Sequence, residues 1–266
     1  MSGGQWAEAN GMALRYTFSG NGPNTIVLIH ELGGTLETYQ ELVPLLTDRY
    51  QVLCYDMRGA GLSQKVRGAL DMQDMVLDIV GLLDHLRIEQ SVALAGCALG
   101  GAVALSFAAA QPKRTAAVIA MSPAVGIPPE RRAAALARAD EVEREGAAVN
   151  IDARLLGGYP PELRDSTGRF EQLRARRMAS DPFGFAAAMR MLADLDLAAD
   201  FPRIICPTLV LAGKFDRDRP PEGVRATAAS IPGAEFRILD TGHYMPVQTP
   251  SLLATEMRDF LFRSGH

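Results

Sequence analysis

Apolar residues in this chain gather in short runs separated by longer stretches of mixed character. Thr25 to His30 (Thr-Ile-Val-Leu-Ile-His), Gln51 to Tyr55, Val92 to Gly96, Ala116 to Met121, Pro207 to Ala212 and Glu235 to Leu239 read as strands. Most are uninterrupted and β-branched, the pattern of strands buried on both faces. Helical patterns lie between them: after Gly33-Gly34 to about Thr47, from Met72 to Leu86, from Gly101 through a run of small residues, near 222–230 and near 250–262. Residues 5–18 add two short strands around a turn at Asn10-Gly11. Such alternation predicts an α/β protein with a mostly parallel sheet covered by helices on both sides.

The rhythm changes between 123 and 200. Strand patterns vanish there and Ala, Arg, Glu and Leu dominate, broken at Gly157-Gly158-Tyr159-Pro160-Pro161 and at Asp181-Pro182. The expected organisation is a core of residues 1–122 and 201–266, with residues 123–200 inserted as a helical lid.

The stretch Leu94-Ala95-Gly96-Cys97-Ala98-Leu99-Gly100-Gly101 passes from apolar strand to small-residue helix. Its spacing, Gly96-x-Ala98-x-Gly100, is that of a nucleophile elbow, a sharp turn that lifts one side chain above the sheet edge. Small neighbours let strand and helix approach closely. The apex holds Ala98, whose methyl group cannot attack a carbonyl.

With that turn placed, the chain resembles the α/β-hydrolase superfamily over nearly its whole length. Ile29-His30-Glu31-Leu32-Gly33-Gly34 is similar to the family's His-Gly-x-Gly-Gly oxyanion turn, and Asp56-Met57-Arg58-Gly59-x-Gly61-x-Ser63 to its Asp-x-Arg-Gly-x-Gly-x-Ser loop. Leu209 to Asp216 resembles the strand that delivers the acid, and Thr241-Gly242-His243 the loop that carries the base. The resemblance implies an α/β-hydrolase fold, a serine-hydrolase type of chemistry on a small-molecule ester, lactone or amide, or on a C–C bond, and no cofactor. Compact lidded bacterial hydrolases such as the 3-oxoadipate enol-lactonases look most similar. It assigns the base to His243, the orienting acid to Asp216 (with Asp218 and Asp240 as rivals), and the oxyanion donors to the N–H groups of Leu32 and Leu99. A His after a buried strand also sits at the carboxyl end of the sheet, where ligands bind in such folds; the plainer reading is a surface loop His. Halide- and epoxide-opening relatives need Asp at the apex, and the Leu-Gly-Gly after Ala98 favours Ser as the residue lost.

Three readings of Ala98 stand side by side. It replaces an original serine and leaves a ligand-trapping site; it is native in a protein that binds ligand or uses His243 as a base without a covalent intermediate; or Cys97 is the nucleophile in a shifted turn, against which stands Cys97's ordinary role as a small buried hydrophobe. Glu31 departs from the family's Gly and is expected to point to solvent, the alternative being a buried second acid. Arg58 is expected to brace its own loop. Glu31, Tyr39, Tyr244 and Met245 are candidate substrate contacts, with Phe183, Phe185 and Met189, although core packing explains such apolar residues equally well. The arginines Arg131, Arg132, Arg138, Arg154, Arg174, Arg176 and Arg177 suggest an anionic substrate if one or two face inward, but most are expected on wet helix faces.

Composition narrows the partners. A net charge of −4 without a basic tract gives no reason to expect nucleic acid, and no apolar run approaches the ~18 residues that span a bilayer. The first residues lack a basic region followed by an apolar one, so no signal peptide is expected. Three cysteines, Cys54, Cys97 and Cys206, an odd number lying in or beside strand-like segments, argue against a disulfide framework and fit a cytoplasmic setting. The histidines His30, His85, His243 and His266 have no metal-ligand spacing, so no metal is expected. A small-molecule ligand and a monomer or homodimer complete the expectation.

Overall fold

A computed structural model of the chain describes residues 4–165 and 167–266. β1 (Gln5–Ala9) and β2 (Met12–Ser19) form an antiparallel hairpin whose turn residues Asn10 and Gly11 take φ of 48° and 71°, values that Asn and Gly tolerate best. β3 (Asn24–Ile29), β4 (Tyr50–Tyr55), β5 (Val92–Cys97), β6 (Thr115–Met121), β7 (Thr208–Gly213) and β8 (Glu235–Leu239) follow. The sheet order is β1-β2-β4-β3-β5-β6-β7-β8, antiparallel as far as the β2–β4 pair and parallel beyond it. The predicted α/β class, with a mostly parallel sheet, is what forms.

The helices, in chain order, are α1 (Met72–His85), α2 (Leu99–Ala110), α3 (Pro129–Glu145), α4 (Ile151–Leu156), α5 (Arg169–Met178), α6 (Pro182–Asp194), α7 (Pro221–Ala229), α8 (Met245–Gln248) and α9 (Pro250–Arg263). Alternate strand residues face opposite ways. Val27, Leu53 and Leu94 pack with α1 and α2 on one side, while Leu28, Cys54 and Ala95 pack with Leu253 and Met257 of α9 on the other. The stretch from 35 to 47 differs from expectation. It makes two short 3-10 turns, Leu36–Tyr39 and Val43–Leu45, because Pro44 lacks the N–H that would carry a longer helix.

Between β6 and β7 the described residues form helices α3 to α6 and no strand. Asp181 starts α6 by accepting the Gly184 N–H at 2.8 Å, with Pro182 in the first helical position. This insertion lies across the loops that follow β3, β7 and β8. Ser180 Oγ donates to Gly33 O, Arg217 N to Gly157 O, and His243 N to Gly158 O. Among the described residues no helix is long and apolar enough to cross a membrane.

Candidate active site

The site begins at the bend from β5 into α2. Ala98 has φ 50° and ψ −108°, a conformation that glycine adopts readily and a β-carbon makes costly. The surroundings hold it there. Ala98 N donates to Met121 O at 2.9 Å, and Ala98 O accepts from Ala124 N at 2.9 Å and Ala102 N at 3.1 Å. A Cβ at Gly96 would lie 2.0 Å from Gly100 O, and one at Gly100 would lie 2.0 Å from Ile29 O, so backbone contact between β5, α2 and β3 requires both glycines. At the top of the bend Ala98 lines a cavity of about 400 Å³ together with Leu32, Leu99 and His243.

His243 is buried, and its Nδ1 lies 2.7 Å from Asp216 Oδ2. Asp216 Oδ1 accepts the N–H of Asp218 at 3.0 Å and of Arg219 at 2.8 Å. Burial alone would raise the Asp216 carboxyl; the charge and hydrogen bond of His243, with the Arg219 N–H, outweigh it and hold the group below its ordinary 3.8. Of the two rivals, Asp218 lines the cavity but the imidazole's ion pair is with Asp216, and Asp240 pairs with Lys214 on the surface. The ring of Tyr244 meets that of His243 edge-on at 5.0 Å and also lines the cavity.

Leu99 opens α2, so its N–H is among those a helix leaves unpaired. The opposing turn is fastened by its carbonyls. Glu31 O accepts Gly34 N at 2.8 Å and lies 2.8 Å from His30 Nδ1, Leu32 O accepts from Arg177 Nη1, and Gly33 O accepts from Ser180 Oγ at 3.1 Å. Leu32, Leu99 and His243 therefore border the space above Ala98.

Glu31 does not point to solvent. Its side chain is 1% exposed, accepts Arg177 Nη2 at 3.2 Å and Thr38 Oγ1 at 3.4 Å through Oε1, and leaves Oε2 without a partner. Arg177, at the end of α5, also stacks 4.9 Å from the Tyr244 ring centroid, joining the turn after β3 to the His243 loop. Gly34 makes room for the carboxylate, since a Cβ there would sit 2.7 Å from it.

The arginines expected mostly on wet faces divide otherwise. Arg131, Arg138, Arg154 and Arg177 line the cavity, while Arg132 turns to Asp194 and Arg174 to Asp152 on the surface. Arg217 and Arg219, beside the acid, join the lining, a contribution the sequence reading missed although both lie within three residues of Asp216. Arg154 donates Nη2 to Ala147 O but has Nε and Nη1 buried without partners. Burial and the neighbouring Arg177 and Arg138 charges press its pKa down.

Other expectations are corrected. Tyr39 is fully buried, gives its hydroxyl to Ile29 O at 2.7 Å and packs under the sheet, away from the cavity. Met245 is equally buried, in the core beside Met257. Cys97 ends β5 with Sγ donating to His243 O at 3.3 Å; it is fully buried, and burial pushes its thiol well above the ordinary 9.0. It has neither access nor thiolate character. Arg58 reaches beyond its own loop to Asp78 of α1 at 2.6 Å and to Asp74 at 3.0 Å. Phe185 and Met189 line the cavity, whereas Phe183 is exposed beneath Arg67.

The chain is similar to 3-oxoadipate enol-lactonase 2 of Acinetobacter baylyi, 28% identical over 91% of this chain and 90% of that protein. Among solved structures it resembles a thermophilic esterase from Thermogutta terrifontis with malate bound (TM-score 0.91, 28% identity, 99% of each chain) and the enol-lactonase of Burkholderia xenovorans (TM-score 0.90, 27% identity, 97% of this chain and all of that one). The family described as "Serine aminopeptidase, S33" matches residues 22–243, a span running from the loop before β3 through His243. The chain belongs to that family, within the α/β-hydrolase superfamily.

Proposed function

We propose that this protein is a hydrolase-type site for a small anionic ester, lactone or amide in which Ala98 has replaced the nucleophilic serine, so that ligand is held without forming an acyl-enzyme. The observation that carries this reading is the intact His243–Asp216 pair beside an apex whose backbone strain serves no purpose for a methyl group. With serine at 98, its oxygen would attack the carbonyl carbon, the hydroxyl proton would pass to His243 Nε2, and the resulting oxyanion would be held by the Leu32 and Leu99 amides. His243 would then return the proton to the leaving group. With alanine, binding and charge stabilisation remain and the covalent step is lost. Cavity arginines favour an anionic ligand, in keeping with the malate in the Thermogutta esterase.

The test is Ala98→Ser. Gain of a product burst approaching one equivalent per chain with 4-nitrophenyl acetate, together with labelling by a fluorophosphonate, is the expected result; a folded variant showing neither overturns it.

A second reading has its own support. Serine replacement alone would leave the oxyanion turn as the family has it, yet residue 31 carries a carboxylate seated by Arg177, Thr38 and the missing side chain of Gly34. That network fits a native alanine, with His243 acting as a base on water or substrate and no covalent intermediate. A silent Ala98→Ser variant beside turnover by the unaltered chain that disappears in His243→Ala supports this reading instead.

A further inference from the structure

A second cavity, of about 480 Å³, lies behind the oxyanion turn. Leu32, Leu99 and Phe185 line both cavities, so the two residues read as the oxyanion donors form part of the shared wall. The two spaces differ in character. The second is walled by apolar side chains, including Met57, Met75, Ala60 and Ala188, and by the backbone of Gly33, Gly59 and Gly184. Its charged neighbours Arg15, Arg58 and Asp181 are engaged by Glu37 and Asp56, by Asp78 and Asp74, and by Arg67. Arg176 is the cation there without an ion pair among the described residues. The cavity above Ala98 instead collects Arg131, Arg138, Arg154 and Arg219, with two buried nitrogens of Arg154 unpartnered. Phe185 stands between, its ring 5.4 Å from the Arg154 guanidinium and against Gly33 of the turn.

We propose that the ligand is bipartite, with an anionic head held by Arg154 and its neighbours, an apolar tail lodged in the cavity behind the oxyanion turn, and the reacting carbonyl at the wall the two cavities share. This rests on the reading of the Leu32 and Leu99 amides as the carbonyl's seat. Cavities of this size hold small organic ligands. An apolar chamber gains about fourfold in affinity for each methylene it takes from water. Head and tail together fix which carbonyl reaches the amides.

The experiment is calorimetric titration of the unaltered Ala98 chain with monoalkyl succinates from methyl to hexyl, each of which pairs a carboxylate with an ester. Affinity should rise about fourfold per methylene over part of the series. Ala179→Trp and Ala60→Phe, both filling the second cavity, should flatten that rise while leaving succinate itself unchanged. Arg154→Ala should weaken every member at least tenfold without altering the slope. Absence of binding, a flat series, a slope that survives both filling variants, or loss of head binding in Arg176→Ala rather than Arg154→Ala overturns the proposal. Thermal melts confirm that each variant is folded. Binding is read without turnover, so failure here is distinct from failure of Ala98→Ser to react.

Discussion

Asp216 holds His243 from one side only: Oδ2 lies 2.7 Å from Nδ1, while Oδ1 is occupied by two backbone N–H groups of its own loop. The carboxylate thereby selects the tautomer with its proton on Nδ1 and leaves Nε2 for the cavity. In an Ala98→Ser background, Asp216→Asn should therefore lower kcat by about 10⁴-fold with little change in KM, since the amide favours the wrong tautomer. Steady-state hydrolysis of 4-nitrophenyl acetate measures it. A loss below tenfold would remove Asp216 from this role.

The same contact ties stability to pH. Because the native Asp216 carboxyl sits below 3.8, the folded chain binds fewer protons than the unfolded chain in the interval beneath that value. Its contribution is complete above the unfolded pKa and disappears as pH falls through the native one. Urea midpoints of the unaltered chain and of Asp216→Asn should differ at pH 6 and converge below pH 3.8. A constant gap across that range contradicts the assignment.

Local requirements made much of this legible in the sequence. The Asn10-Gly11 turn, the buried strands and the glycines at 96 and 100 are each dictated by backbone geometry within a few residues, and they formed where expected. Whatever depends on a distant partner was opaque. Glu31 is buried because Arg177, 146 residues later, meets it at the end of α5. Tyr39 and Met245 looked like pocket aromatics and thioethers, but their direction is set by how the 3-10 turn and α8 pack on the sheet. Convergence of Arg131, Arg138 and Arg154 follows from how α3 packs on α6 and α4 on α5 around the cavity, which no helical pattern encodes.

The Glu31–Arg177 pair is nearly dry, at 1% and 11% exposure, so removing one partner strands the other. Arg177→Met should cost about 3–5 kcal/mol in urea unfolding. Glu31→Gln, which keeps an acceptor for Thr38, should cost less. The double variant should recover part of the loss of Arg177→Met alone, and strict additivity would mean that the two groups are not coupled.

Cys97 offers a chemical check on the nucleophile. Its thiol is fully buried and its pKa is pushed well above 9.0, so iodoacetamide at pH 8 should leave it unmodified in the native chain and alkylate it after urea denaturation. Peptide mass mapping distinguishes the two states. Native modification of Cys97 at a rate comparable to a solvent thiol would return it to candidacy.

Ala98 carries the strain of an elbow without the hydroxyl that would exploit it. At φ 50° and ψ −108° a β-carbon costs on the order of 1–3 kcal/mol, whereas glycine there adds about 1 kcal/mol of unfolded-chain entropy to be lost on folding. The difference favours glycine, so Ala98→Gly should stabilise the fold by about 1 kcal/mol and raise Tm by roughly 2–4 °C. Ala98→Ser keeps the β-carbon and with it the strain, and should melt close to the unaltered chain even as it gains reactivity. A glycine variant that melts lower would mean that the bend stores no strain at residue 98, and the case for a side chain once held there for its chemistry would lose its energetic basis.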